Sequence, residues 1–348
     1  MGVKRVKTFG LGESFREYPF VFSTRTFFPS TKGHKWSGLG NETLGFGYYL
    51  VQDKAGQKLY YLKDHKEKPK IEDREVIPQH HEYEVLADDY RAWQELFTRV
   101  QQEILAGKVE KVVISREVKI QCTNQVASAG VLKNLLQHNP QSFVFAYSKE
   151  GKTFLGATPE ILVGKEGEDI FSYALAGTRT RNSREGDEEQ KAALLNDTKN
   201  RHEHFIVRDY IAKIMGTYGE DVRVGETVVL GLKNLYHLQT LIRAKTRELS
   251  LVEWVTRLHP TPALGGYPVQ EALAIIADSE KHERGLYAAP LGIMNGEGDG
   301  IFVAGIRSAL IEGDRVYAYT GCGIVESSDC YEEYLETGCK AKTILESL

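Results

Sequence analysis

Four glutamates and three cationic side chains stand in this sequence beside neighbours that suggest they do not simply face water. Glu333, Glu336 and Lys340 recur at i, i+3 and i+7 in DCYEEYLETGCK, directly after Gly321 and Gly323. At about 100° per residue, a helix holds all three within roughly 60° of arc. One reading is a solvated face laced with intrahelical ion pairs; the other is a face turned toward a ligand. Glu160, in GATPEILVG, sits between Pro159 and three branched apolar residues, which makes its carboxyl a candidate for a raised pKa. Glu203 extends the apolar stripe Val207, Tyr210, Ile211 and Ile214, so it begins a face that should be buried. An exposed helix end accounts for Glu203 equally well. Alternation along GIFVAGIRSALI (300–311) places Arg307 on the strand face of Val303 and Ile311. A guanidinium there needs a partner: either a structural salt bridge or the carboxylate of a ligand, captured in bidentate fashion. Lys111 opens KVVISREV on the face of Val113, Ser115 and Glu117, and by itself reads as a surface residue. Carboxylates that hold a hard divalent cation, with bases for the rest of an anionic ligand, would suit Mg²⁺ and a small polycarboxylate.

The elements that must position these groups follow from periodicity. The N-terminal segment alternates aromatic strands with Gly-rich turns, as in FREYPFVFSTRTFF and LGFGYYLVQD. A helix is expected from Asp88 or Asp89 to about Ala106, with Trp93, Phe97, Val100 and Ile104 on one face and Gly107 as its stop. Strands KVVISREVKI and SFVFAYS, the hairpin 153–177 and a helical region around 187–215 come next. Helices near 250–258 and 268–279 then lead to a hairpin turning at EGDR. Strand and helix runs are mixed without βαβ alternation, which predicts an α+β protein of two packed antiparallel sheets with helices outside. The charged run 63–75 reads as a solvated loop.

At 348 residues, 41% hydrophobic and 26% charged, the chain can bury a large core as a single domain. A net charge of −4 supplies no basic surface for nucleic acid or acidic lipid. The start MGVKRVKTFG has no apolar signal region, and no stretch approaches the ~18 apolar residues of a membrane span. Cys122, Cys322, Cys330 and Cys339 lack C-x-x-C spacing and are expected to be reduced thiols of a cytoplasmic protein.

Nine blocks, read in order, resemble the chorismate-utilising enzymes: KVVISR (111–116), GATPEILV (156–163), LAGTRTR (175–181), KNRHEHFIVRDY (199–210), LYHLQT (235–240), LHPTPALGG (258–266), ERGLYAAPLG (283–292), GIRSALI (305–311) and GCGIVESSDCYEEYLETGCK (321–340). The match runs from about residue 90 to the C-terminus. The resemblance implies one chorismate-binding domain over 1–348, with 1–90 as variable N-terminal strands and 91–348 as the family core. It also implies roles. Glu203 and Glu336 would hold Mg²⁺, with Glu333 supporting the metal directly or through water. Arg307, Tyr287, Lys340 and the Gly321 and Gly323 amides would bind substrate carboxylates. Gly177, Thr178, His237 and Ala263 would complete the substrate pocket.

Three positions narrow the expected reaction. Lys111 matches the lysine that activates water in the isochorismate and salicylate synthase branches. Ala176 stands where the aminodeoxychorismate branch carries a nucleophilic lysine. Ala263 stands where the salicylate, anthranilate and aminodeoxychorismate branches commonly carry Thr. The implied activity is therefore the Mg²⁺-dependent isomerisation of chorismate to isochorismate, an isomerase reaction, with Lys111 as base and Glu160 as acid. Release of salicylate plus pyruvate is the alternative. Menaquinone and siderophore biosynthesis both use this step, and no residue separates them. A monomer without a glutamine amidotransferase subunit is expected.

Overall fold

The computed structural model describes every residue except 1, 11–12, 32, 54–55, 63–75, 77–79, 88 and 183. The charged run 63–75 thus lies outside the described residues. The N-terminal part contributes strands β1 (Gly2–Thr8), β2 (Val21–Thr24), β3 (Glu42–Asp53), β4 (Gly56–Tyr61) and β5 (Tyr83–Ala87). Helix α1 (Tyr90–Leu105), strand β6 (Lys111–Cys122), helix α2 (Ser128–His138) and strands β7 (Phe143–Lys149), β8 (Lys152–Thr158), β9 (Ile161–Glu166) and β10 (Asp169–Thr180) follow. Next come helices α3 (Asp187–Asn196) and α4 (Thr198–Tyr218), then strands β11 (Glu220–Gly231) and β12 (Leu235–Lys245). The tail comprises α5 (Leu251–Leu258), β13 (Gly266–Tyr267), α6 (Val269–Ser279), β14 (Pro290–Met294), β15 (Gly300–Ala304), β16 (Ser308–Glu312), β17 (Arg315–Ile324) and α7 (Cys330–Leu345).

The strands form a ten-stranded sheet, ordered β1-β3-β2-β14-β15-β9-β10-β12-β11 with β4 on β3, and a seven-stranded sheet, ordered β13-β6-β17-β16-β8-β7 with β5 on β6. The pairings are antiparallel throughout the described residues. Strand alternation gives each sheet two apolar faces. Leu44, Leu291 and Val303 of the large sheet meet Phe154, Leu310 and Tyr319 of the small one. The outer face of the large sheet packs Leu162, Ile170 and Ile242 under Val207 and Ile211 of α4 and Trp254 of α5. The outer face of the small sheet is covered by α2 and α7 near Leu155 and Ala318, and by α1 and α6 near Val112 and Ile114. The architecture is α+β, two antiparallel sheets with helices outside, as the element pattern predicts.

Helix α1 starts one residue after its N-cap Asp89, buries Trp93, Phe97, Val100 and Ile104, and stops before Gly107, whose φ is +71°. Two expectations need correction. The helical region 187–215 is two helices, because Asp197 ends α3 and its carboxylate caps α4 by accepting from the Asn200 amide at 2.7 Å. The stretch 300–311 is not one strand: β15 belongs to the large sheet and β16 to the small one. Arg307 stands at the crossing with φ +51°, so alternation with Val303 and Ile311 does not describe it. A second crossing lies alongside, where β8 of the small sheet passes to β9 of the large one through Pro159 and Glu160. The Ala304 amide donates to the Glu160 carbonyl (3.0 Å) and the Ala157 amide to the Arg307 carbonyl (3.1 Å). Two chain crossings bound side by side open a cavity between the sheets.

Candidate active site

The cavity at this crossing is lined by Glu160, Gly177, Thr178, Glu203, His237, Ala263, Tyr287, Arg307, Gly321, Gly323 and Lys340. Those residues come from eight of the nine blocks, and Lys111, of the ninth, joins them through Glu203. Lys111 is not a surface residue. Its side chain is 1% exposed, and its Nζ lies 2.9 Å from Glu203 Oε1. Gly323, opposite Val113 in the β6–β17 ladder, leaves room for that ion pair. A Cβ there would come within 2.4 Å of Lys111 Cε and 2.5 Å of Glu203 Oε1.

Helix α4 buries His204, Val207, Ile211 and Met215, and this face tilts Glu203 inward. Burial opposes the charge on Glu203, but Lys111 beside it holds its pKa below the ordinary value. Among the described residues Glu160 has no such partner. Burial pushes it up to about 8 against the pull of Lys111, Lys340 and Arg307, so its carboxyl keeps a proton at neutral pH.

The face of α7 that carries Glu333, Glu336 and Lys340 is turned inward, and it also contains an intrahelical ion pair. Lys340 Nζ lies 2.6 Å from Glu336 Oε1 and donates to the Gly321 carbonyl at 3.0 Å. Burial works against the Lys340 charge, and Glu336 more than restores it, raising its pKa. Glu333 is 3% exposed. It accepts from Lys199 Nζ at 2.6 Å and from Ser328 Oγ at 2.8 Å, and neither it nor these partners is among the residues that line the cavity. Burial, with Glu336 nearby, raises Glu333 even so.

Arg307 sits in the cavity wall, pushed down to about 10 by burial. Among the described residues no carboxylate pairs with it; its hydrogen bond runs to His237 Nε2 at 2.8 Å. Of the two sequence-level readings, the internal salt bridge is therefore not what the fold provides. Tyr287, buried and stacked on Tyr319 with ring centroids 5.5 Å apart, has its hydroxyl raised by burial. Ala176 and Ala263 present only methyl groups to the cavity.

Glu203, Glu333 and Glu336 supply only oxygen donors, and their charges are close enough to act on one another. Among the described residues no three acidic, His or Cys side chains already form a cage. That arrangement still fits Mg²⁺, which commonly takes one or two carboxylates plus ligand oxygens and water rather than an all-protein cage.

Several contributors have no obvious chemical signature in the sequence. Lys199 and Asn200 lie within one turn of Glu203, and the i, i+4 spacing of Lys199 to Glu203 is a signal that could have drawn attention to it. Leu175, Leu264, Ile306 and Tyr319 are apolar or aromatic wall residues with none.

A sequence profile of the family described as chorismate binding enzyme matches residues 12–348. The isochorismate synthase MenF of Bacillus subtilis is 38% identical over 282 residues, 80% of this chain and 59% of that protein. The salicylate biosynthesis isochorismate synthase of Pseudomonas aeruginosa is 35% identical over 270 residues, 75% of this chain and 56% of that protein. The chain thus spans less than two thirds of the length of these relatives. Among solved structures, the putative 2,3-dihydroxybenzoate-specific isochorismate synthase DhbC from Bacillus anthracis superposes with a TM-score of 0.80 at 25% identity, over 94% of this chain and 83% of that one. The menaquinone-specific isochorismate synthase MenF from Escherichia coli, at 23% identity and a TM-score of 0.80, shares the fold over 99% of this chain and 84% of that one.

Proposed function

This chain belongs to the family of chorismate-binding enzymes, and from that premise we propose that it converts chorismate to isochorismate with Mg²⁺ as cofactor. The observation that carries the reading is the pairing, in one cavity, of a buried guanidinium lacking a carboxylate partner with a carboxyl that stays protonated at neutral pH. The first suits a substrate carboxylate; the second suits a general acid.

In this reading Lys111 orients a water and takes its proton as the oxygen attacks C2 of the ring. The ring double bonds shift, and the C4 hydroxyl leaves with the proton of Glu160. One water enters and one leaves, so no redox partner is needed. Lys111 donates to Glu203, so that contact must be released for Lys111 to accept a proton from water. Mg²⁺, held by Glu203 and Glu336 with Glu333 behind them, would neutralise and orient a ring carboxylate. Arg307, Tyr287, Lys340 and the Gly321 and Gly323 amides bind substrate carboxylates, while Gly177, Thr178, His237 and Ala263 shape the space around the ring.

We read 1–348 as one chorismate-binding domain, a reading supported by β1–β4 extending the large sheet. The enzyme acts as a monomer in the cytoplasm without an amidotransferase subunit; among the described residues no helix is long and apolar enough to cross a membrane. Incubation with chorismate and Mg²⁺, followed by chromatography, tests the proposal. Isochorismate should dominate, and EDTA should abolish turnover. Salicylate and pyruvate as main products would transfer the chain to the salicylate-forming reaction; no turnover at any Mg²⁺ concentration would leave a binding protein.

A further inference from the structure

We propose that Asn200, Thr178 and His237 form a positioning relay that aims the Arg307 guanidinium, with His237 acting as a neutral acceptor whose single ring proton sits on Nδ1. The argument starts at Arg307 Nη2, 2.8 Å from His237 Nε2. A guanidinium has donors and no acceptor, so Nε2 must offer its lone pair and carries no proton. The other nitrogen, Nδ1, lies 3.1 Å from Thr178 Oγ1 and donates to it. The Gly177 carbonyl also accepts a hydrogen bond from this ring. An imidazolium would set a second donor against Arg307, which both burial and the neighbouring guanidinium disfavour.

Thr178 reaches His237 because of a local break in the sheet. The β10–β12 register shifts between Ala176 and Thr178, and Thr178 comes to face His237. Gly177, at φ +76°, makes the shift. Asn200 of α4 holds it in place. Its side-chain oxygen accepts from the Thr178 amide at 2.8 Å, and its carbonyl lies 2.8 Å from where a Gly177 Cβ would stand. Asn200 Nδ2 in turn donates to Asp197 Oδ1, the N-cap of the helix, at 2.9 Å. The N-terminal end of α4 therefore carries Glu203 in its second turn and, through Asn200 in its first, sets the direction of Arg307. His237 and Thr178 serve the guanidinium rather than the reacting atoms. Losing them should weaken capture of a carboxylate more than it slows chemistry.

The kinetic part of this inference rests on the chorismate reading; the tautomer does not, and the experiment separates the two. Long-range ¹H–¹⁵N NMR of the full chain, with His237 assigned from the spectrum of His237→Gln, should show a protonated Nδ1 and an unprotonated Nε2 across neutral pH. A protonated Nε2, in either the neutral or the charged ring, overturns the relay whether or not chorismate is turned over. In Thr178→Val the His237 signals should move and KM for chorismate should rise about five- to tenfold, the worth of one hydrogen bond next to a charge, with kcat changed far less. Thr178→Ser should restore both. A Thr178→Val variant with unmoved His237 signals, or with reduced kcat at unchanged KM, also overturns the relay.

Discussion

The crossing between the sheets removes Glu160 from water and, among the described residues, gives it no cation in hydrogen-bond contact, so burial raises its pKa to about 8 and makes it a source of pH dependence. In its proposed role of general acid it is competent below about 8, so kcat/KM for chorismate should fall as pH rises through that value. Glu160→Gln should remove this limb and lower turnover by about 10²–10⁴-fold. The same residue makes a stability prediction. Its folded pKa lies above its unfolded one, so the native state binds the proton more tightly and stability is lost as pH rises from the ordinary carboxyl range to about 8. Relative to Glu160→Gln, the wild-type chain should lose on the order of 3–5 kcal/mol across that window. Thermal denaturation of both proteins at pH 5 and pH 9 checks it; parallel curves would show that Glu160 is solvated. Lys111→Ala should also cost about 10²–10⁴-fold in turnover with a much smaller change in chorismate affinity. Near-wild-type turnover would make Lys111 a purely structural ion-pair partner of Glu203. One residue bears on product identity. In the proposed reaction, Thr in place of Ala263 adds a hydroxyl and a methyl beside the ring, worth ~1–3 kcal/mol of discrimination. Ala263→Thr should therefore divert part of the product to salicylate and slow the reaction, as product chromatography would reveal.

Elements meet where side chains are small. Strand β17 passes β6 at Gly323, and the absent side chain is the space occupied by the Lys111–Glu203 pair. The atoms that an added methyl would strike are the far ends of two flexible side chains, so Gly323→Ala should fold with near-normal stability while losing most activity. Urea titration beside a turnover assay distinguishes this from global damage; equal losses in both would place Gly323 among ordinary packing positions. Gly177 is the contrasting case, because the atom nearest its missing Cβ is the Asn200 carbonyl and its φ is positive. Backbone cannot swing aside as a lysine tip can, so a substitution there strains both β10 and the first turn of α4. Many of the elements were legible in sequence: the N-cap Asp89, the stripe from Trp93 to Ile104 and the turn at Gly313 are local signals. The division of 300–311 between two sheets was not, because alternation continues through GIRSALI while the backbone turns at Arg307.

Over the whole molecule, the N-terminal segment packs against the wall of the candidate site through a short helical turn, His34–Trp36, between β2 and β3. Trp36, 1% exposed, packs against Tyr319 in a tilted arrangement with ring centroids 5.6 Å apart, and Tyr319 stacks in turn on Tyr287 in the cavity wall. Gly285 lies under the same indole, whose ring carbons would be 2.0 Å from an added Cβ. Trp36→Ala should therefore cost about 3–5 kcal/mol in chemical denaturation, and chorismate binding should weaken at temperatures where the variant is still folded. Unchanged binding would detach the N-terminal segment from the site. By itself the sequence determined most of the secondary elements, the α+β class and which side chains are candidates for the chemistry, since periodicity, capping and residue chemistry act over a few positions. It left open whether Lys111 is buried, whether Arg307 has an internal partner and which way Glu333 points. Those answers depend on contacts such as Lys199 to Glu333, 134 residues apart, and on where two sheets part. Only the packed tertiary structure decides them, because desolvation and ion pairing are properties of a side chain's neighbours in space.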